Sequence, residues 1–560
     1  MRARSGNCAS GPPLSPRLLA KPRSSGLDSF FSRLSGLLAG SAEKLRALKG
    51  WRRRLAAFLA GLAGALAMAP VYALPLLAVS LSVFVILIDG AKAHARPRAS
   101  AFAAGWFWGF GYFLAGVYWM AFSFFVQADQ FAWMAPFAMT GMPAFLALFT
   151  GVAALVSVPF EKTGWARIAL FAAIFAMVEY LRGHILTGLP WNLAGQALAG
   201  SAAGSQTAAW YGAYGLSLVA IFLAMAPAAG LGPRDKPHAL SGLVVMLAGT
   251  AVLYAVGAAR LALPDPEGDA RNIVRIVQPN IPQREKIDWD YWAKNFERQM
   301  EHSRGAVPPD AQLYVIWPEN GAPLLEEAAT ALQAIGDDFP ENSVLIAGAV
   351  RRARGAEGAE RWYNSIAVVE ETPRGRAVTA HYDKHHLVPV GEYLPFFEFF
   401  KSIGLAALTP YQDRGFYAGA GPKTIEAGGT RFSPMICYEA IFPHASYPAG
   451  ERPGWLVVVT NDAWYGDTSG PRQHLDMARL RSIETGLPMA RSANTGISAL
   501  IDGKGRMLAR LALYQAGKIE APLPPALPPP LYDRFGDWVF FVMLLGFLAP
   551  ALAAKPSARK

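Results

Sequence analysis

The sequence predicts two parts, a multi-pass α-helical membrane domain of about eight spans and an α/β domain placed ahead of the last span. Three observations carry this. The 560-residue chain is 53% hydrophobic and only 17% charged, too apolar for an ordinary soluble chain of that length. Apolar stretches close to the ~20 residues that cross a bilayer crowd the region from 55 to 259 and return at 538–554. From about residue 271 short β-branched runs alternate with polar, helix-forming segments, the pattern of an α/β domain.

Residues 1–54 hold twelve Lys/Arg against Asp28 and Glu43. They read as a basic, disordered cytoplasmic tail, with "LDSFFSRLSGLLAG" (27–40) a candidate interfacial helix. A basic tail ending in "WRRR" before an apolar run orients a first span and does not describe a nucleic-acid surface. The start "MRARSGNCASGPPLSP" has no apolar core behind its charges, so it is not read as a cleavable signal peptide. Spans are expected near 55–70, 71–88, 102–126, 131–158, 165–181, 207–230 and 239–259, forming a domain over 55–260, with an eighth at 538–554.

The connections test that count. Segments 89–100, 159–167 and 231–238 carry Lys92, Arg96, Arg98, Lys162, Arg167, Arg234 and Lys236, and the end at 555–560 carries Lys555, Arg559 and Lys560. The alternate connection "QADQ" (127–130) has no basic residue. The alternation places both termini in the cytoplasm and residues 260–537 outside it. At the end of the fifth span Glu179 and Arg182 lie three apart on one helix face, as either an interfacial ion pair or a functional pair.

In the polar part, strands are expected at 272–280, 313–319, 344–350, 363–370, 376–384, 431–437, 455–462 and 497–502. Helices are expected near 286–304, 324–338 and 471–486. The domain is placed at 271–520, followed by a stiff proline-rich linker at 521–537. Two cysteines cannot build a disulfide framework, and Cys437 is expected to be a lone free thiol. No HExxH or CxxC occurs, adjacent His385 and His386 point in different directions, and no glycine-rich phosphate loop is present. Neither a metal nor a cofactor is expected.

Three strands end in a reactive side chain: Glu319 in "LYVIWPEN", Lys384 in "AHYDKHHLVPVGEY", and Cys437 in "PMICYEA". Singly each has an ordinary structural explanation; a lone cysteine is most often a small buried hydrophobe. Together they form a thiol, a carboxylate able to take its proton, and an ammonium able to stabilise a thiolate and an oxyanion. Such a set makes and breaks acyl–sulfur bonds.

The order Glu, Lys, Cys within "WPEN", "YDKHHLVPVGEYLP" and "CYEAIFP" resembles the nitrilase superfamily. With the spans on either side, and with "QPNIPQ" (278–283), "LRG…GLPWN" (181–192), "NDAWYG" (461–466) and "ARSANTGIS" (490–498), it is more narrowly similar to bacterial apolipoprotein N-acyltransferases. The resemblance covers about 55–554 and departs conservatively at Val390, where the family often has Phe. It implies a nitrilase-like α-β-β-α sandwich on the periplasmic face of the inner membrane. It also implies ping-pong transfer of an acyl chain from a phospholipid to the α-amino group of a lipoprotein's diacylglyceryl-cysteine, without a cofactor. By motif, Cys437 is the implied nucleophile, Glu319 the general base and Lys384 the electrostatic stabiliser. Glu392, Tyr438 and Glu439 match residues needed for activity, and Trp289 matches a loop tryptophan near the lipid entrance. "YLPFFEFF" (393–400) is a candidate lipid-entry arm. A monomer is expected.

Two other readings use the same residues. A membrane-anchored amidase or nitrilase would let water resolve the thioester, but a small soluble substrate has no need of eight spans. A non-catalytic lipid- or lipoprotein-binding scaffold would retain the fold alone. A transporter is disfavoured, since the spans lack mid-membrane charges and paired broken helices.

Overall fold

The computed structural model describes residues 26–233, 239–322, 324–354, 358–393, 402, 415–443 and 446–554. The sequence readings on Cys8, Arg234, Lys236, 394–400 and 555–560 lie outside the described residues.

Each expected span is met by a helix. These are α2 (Gly50–Ala65), α3 (Leu74–Lys92), α4 (Pro97–Val117), α5 (Ala135–Val156), α6 (Gly164–Arg182), α7 (Ala208–Met225), α8 (Ala239–Ala262) and, at the far end, Trp538–Ala553. Five helical stretches among the described residues are long and apolar enough to cross a membrane: Leu74–Lys92, Ala128–Val156, Gly164–Arg182, Ala208–Ala228 and Leu240–Ala262. The 26–47 part of the expected disordered tail is instead helix α1 (Gly26–Ala47). Its Ala42 is buried, and Leu38, Ala39 and Leu45 pack on the helical core. That apolar stripe gives the segment something to fold against, which a count of its charges misses.

Between α8 and the last helix lie two six-stranded sheets. With β6 at Ile425–Ala427, β10 at Ala499–Ile501, β11 at Met507–Arg510 and β12 at Gly517–Pro522, the first has the order β12-β1-β2-β3-β4-β5 and the second β11-β10-β9-β8-β7-β6. The strands that hold the site are β1 (Asn272–Gln278), β2 (Gln312–Trp317), β3 (Ser343–Arg354), β4 (Glu360–Thr372), β5 (Gly375–Asp383), β7 (Thr430–Ile436), β8 (Trp455–Thr460) and β9 (Met489–Ala493). Pairing is parallel for β1-β2-β3 and for β7-β8-β9. Parallel strands covered on both faces account for the unbroken apolar runs "LYVIW" and "WLVVV".

Alternate residues of one strand serve different layers. Tyr314 and Ile316 of β2 face the other sheet, meeting Phe432, Trp455 and Val457 in one core. Leu313, Val315 and Trp317 of the same strand pack with Phe296 and Ile335 of α9 (Trp292–Ser303) and α10 (Ala329–Asp338). On the outer face of the second sheet, Leu456 and Val458 pack with Leu475 and Ala478 of α11 (Ser469–Thr485). The order is helix, sheet, sheet, helix.

Helix α11 is buried all round although much of its sequence is polar. Its Met477, Leu480 and Ile483 share a core with the membrane helices. Its polar groups cross to the same neighbours: Asp476 accepts from the Tyr72 hydroxyl at 2.6 Å, Gln473 accepts from Trp191 Nε1 at 2.7 Å, and Glu484 accepts from Ala213 N at 2.8 Å. The last strand, β12 (Gly517–Pro522), runs into the stretch expected to be linker. Beyond it Leu523 N donates to Asn272 O and Leu527 N to Gly486 O, so 521–527 lies on the domain. Proline is tolerated there because β12 is an edge strand.

One close approach seats the turn that carries Glu319. A Cβ added at Gly348 on β3 would lie 2.5 Å from Glu319 Cα, a backbone atom that cannot swing aside. We expect Gly348→Ala to lower stability by about 1–3 kcal/mol. The exposed Gly336→Ala on α10, where the added carbon meets only an ordinary contact at 3.4 Å, should be neutral or stabilising. Thermal unfolding of both variants in detergent checks the contrast.

Candidate active site

Glu319 follows β2, Lys384 follows β5, Glu392 lies eight residues further on, and Cys437 follows β7. The two sheets bring these ends together. Lys384, 1% exposed, places Nζ 2.8 Å from Glu392 Oε2 and 3.8 Å from Glu319 Oε1. Burial alone would lower the Lys384 pKa, but the Glu392 and Glu319 carboxylates overcome it and hold the group above its ordinary value.

Cys437 is buried and is a free thiol. Its φ of 50° is unusual for a residue with a side chain, and such strain gathers at functional sites. Burial pushes the thiol up, the nearby Glu319 charge adds to that, and Lys384 opposes it. The resting group is therefore a protonated thiol beside a carboxylate, where a base is needed before the sulfur can attack.

Asn364 on β4 was not singled out from the sequence. Its Nδ2 donates to Glu319 Oε1 at 2.8 Å and to Glu392 Oε1 at 2.7 Å. One amide thus bridges both carboxylates, and Glu392 also accepts from Val388 N at 2.7 Å. Lys286 was missed too. Its Nζ donates to the Glu319 carbonyl at 2.6 Å, and shielding from water pushes its pKa down to about 8 against the pull of Glu319.

Glu439 is fully buried and does not point at the others. It accepts from the backbone N of Ile436 at 2.7 Å and of His385 at 2.9 Å, and from the Tyr382 hydroxyl at 2.8 Å. It thereby ties the turn at Cys437 to the loop after Lys384. The Tyr438 hydroxyl donates to Gly188 O at 2.8 Å, and His386 Nε2 lies 2.7 Å from Thr187 O. Both bonds fasten this site to the "GLPWN" loop. That loop is gripped in turn by Arg182, which donates to Leu189 O and Trp191 O at 2.6 and 2.7 Å. Glu179 instead accepts from Ala194 N and the Ser217 hydroxyl. Trp289 stands apart, 60% exposed, on the short turn Trp289–Tyr291 after Lys286.

Among the described residues one group has metal-ligand spacing: Cys437, Asp462 and His474. Both ring nitrogens of His474 and both oxygens of Asp462 already have protein partners. Hydrogen bonding within the protein accounts for the group.

A buried cysteine, lysine and glutamate at strand ends of a four-layer sandwich, packed on apolar helices, define a membrane-associated protein of the carbon–nitrogen hydrolase type. Residues 273–527 match the family described as carbon-nitrogen hydrolase, and 60–226 the apolipoprotein N-acyltransferase N-terminal domain. The chain belongs to the apolipoprotein N-acyltransferase family. It is 40% identical over 522 residues to the apolipoprotein N-acyltransferase of Brucella melitensis, covering 91% of this chain and 96% of that protein. Its counterpart in Rhodopseudomonas palustris is 37% identical over 514 residues, with 90% and 95% covered. That of Bradyrhizobium diazoefficiens is 40% identical over 524 residues, with 91% and 96% covered.

Two outcomes follow from the geometry. Cys437 should show no ultraviolet thiolate step between about pH 7 and 9.5, the range in which an ordinary thiol of pKa ~8.5 ionises, because its raised pKa keeps it protonated there. Asn364→Leu removes the donor shared by the two carboxylates. We expect the rate of Cys437 acylation to fall about 10- to 100-fold, with the protein still folded, as read by intact-protein mass spectrometry.

Proposed function

We propose that this protein transfers a fatty acyl chain from a phospholipid to the α-amino group of the diacylglyceryl-cysteine at a lipoprotein's N-terminus. The carrying observation is the free Cys437 thiol buried with Glu319 and Lys384 in a chain packed on apolar helices. Glu319 removes the thiol proton and the sulfur attacks the ester carbonyl. Lys384, held by Glu392, stabilises the oxyanion. Collapse breaks the ester carbon–oxygen bond, and the leaving lysophospholipid oxygen takes the proton from Glu319. The lipoprotein amine then attacks the Cys437 thioester, Glu319 accepts the amine's proton, and an amide forms as the thiol is restored. No cofactor enters, since a thioester is already activated toward amines.

Tyr438 and Glu439 position the nucleophile's turn, and Trp289 lies at the lipid entrance. The last assignment is supported by its exposure and by the link from Lys286 in the same segment to Glu319. The chain acts as a monomer in the bacterial inner membrane. We propose eight spans, with both termini in the cytoplasm and the catalytic domain, from 271 through β12, in the periplasm. The basic residues of alternate connections support that orientation. Lipid substrates favour it too, because burial of an acyl chain contributes ~0.8 kcal/mol per CH₂ and a soluble enzyme would have to extract each chain.

Intact-protein mass spectrometry after incubation with phospholipid vesicles tests the reading. The parent should gain one fatty acyl group and lose it to a diacylglyceryl-cysteine peptide, and Cys437→Ala should gain none. Discharge by water with no N-acyl peptide would favour a hydrolase. Neither adduct nor released lysophospholipid from the folded parent would leave only a binding scaffold.

A further inference from the structure

Two motifs quoted from the sequence, "NDAWYG" and "ARSANTGIS", contain none of the residues assigned so far to the chemistry. They meet behind the nucleophile. Asp462 comes from the first motif and Arg491 from the second, and between them sits His474 of α11. His474 Nε2 lies 3.0 Å from the main-chain carbonyl oxygen of Cys437. A carbonyl oxygen can only accept, so Nε2 carries the proton and cannot take one from the thiol. This excludes a cysteine–histidine dyad.

The other ring nitrogen, Nδ1, is 2.9 Å from Asp462 Oδ1 and 3.2 Å from Arg491 Nη2. Arg491 Nη2 donates to Asp462 Oδ2 at 2.9 Å, and the Thr460 hydroxyl donates to Asp462 Oδ1 at 3.2 Å. Burial alone would raise the Asp462 pKa, but Arg491 and His474 overcome it and hold the carboxylate at about 2. A Cβ at Gly496 would come within 3.0 Å of Asp462 Cγ, so the absence of a side chain there lets the carboxylate seat. His474, Asp462 and Arg491 are all nearly or fully buried.

What they hold is a peptide plane. The single cis peptide among the described residues is Ala69–Pro70, so Cys437–Tyr438 is trans. In a trans peptide the C=O and N–H point in opposite directions. Fixing the Cys437 carbonyl therefore fixes the direction of the Tyr438 N–H, beside a nucleophile whose own φ is strained. We infer that His474, backed by Asp462 and Arg491, is a positioning residue that orients the Cys437–Tyr438 peptide so that the Tyr438 N–H meets the oxyanion formed on the acyl carbonyl.

This rests on the acyltransfer reading above, and two reactions of the same thiol test it. Acylation by phospholipid vesicles passes through an oxyanion, whereas alkylation by iodoacetamide does not. Parent and Cys437→Ala come first, since a parent that forms no acyl adduct refutes the function without touching the role of His474. Given an adduct, His474→Leu should slow acylation about 10²- to 10³-fold, the effect of losing one oxyanion donor, with alkylation unchanged. His474→Gln, whose amide can still reach the carbonyl, should recover most of the rate. Should His474→Leu not fold, Asp462→Asn carries the same expectation. Acylation at the parental rate, or an equal fall in both reactions, would overturn the inference.

Discussion

Moving an ammonium out of water costs several kcal/mol unless partners replace the lost solvent, and Lys384 is almost wholly buried. Glu392 is its principal partner and Glu319 a more distant one. Two carboxylates this close to one another would repel without the cation, and the cation would be unstable without them. Asn364 donates to both, so the three ionisable groups and one amide stand or fall together. The thiol of Cys437 sits in the field of this cluster. Glu319 disfavours the thiolate, while Lys384 favours it once the proton has moved. The resting enzyme is thus biased to the unreactive thiol, and the transfer of one proton to Glu319 reverses the bias.

Such a cluster requires a rigid frame, and neither half of the chain supplies it alone. Tyr438 and His386 end on carbonyls of the loop that leaves α6, and Arg182 holds that loop from inside the helical half. Trp191 of the same loop donates to Gln473 on α11, next to His474. The turn at Cys437 is thereby braced from the helical half as well as by its own sheet. A carboxylate, Glu439, closes the gap between that turn and the lysine loop with backbone donors, so its charge is used for position.

The buried parallel strands were legible because they leave continuous apolar runs, and the catalytic candidates because Glu319, Lys384 and Cys437 each end an expected strand, although β5, ahead of Lys384, is an antiparallel and partly exposed edge strand. The short strand β10 (Ala499–Ile501) was legible within 497–502, but β6 (Ile425–Ala427), β11 (Met507–Arg510) and the polar β9 were not. β9 is "MARSA", whose Arg491 and Ser492 are buried through hydrogen bonds that no hydropathy pattern marks. Asn364 reads as one of several polar residues in β4, next to Ser365, and only the pairing of β4 with β3 and β5 brings it between two carboxylates that lie 45 residues before it and 28 after it. His474 looks like a surface residue on a charged helix until the helical half covers that helix. These residues act through tertiary contacts, and single-sequence periodicity contains no information about contacts that distant.

Burial also bears on which acceptor completes the proposed reaction. A thioester reacts with water or with an amine, and the balance depends on what reaches the carbonyl. Cys437, Lys384, Glu319 and Glu392 are each less than a tenth exposed, so bulk water has little access. The single positive charge of Lys384 faces two carboxylates, Glu392 and Glu319, which leaves these three groups with a net negative charge. A lipid-anchored amine held at the membrane surface arrives at high effective concentration, whereas water must reach groups that are almost wholly shielded from bulk solvent. The same exclusion that keeps the thiol protonated thus favours transfer over hydrolysis once the acyl chain is loaded.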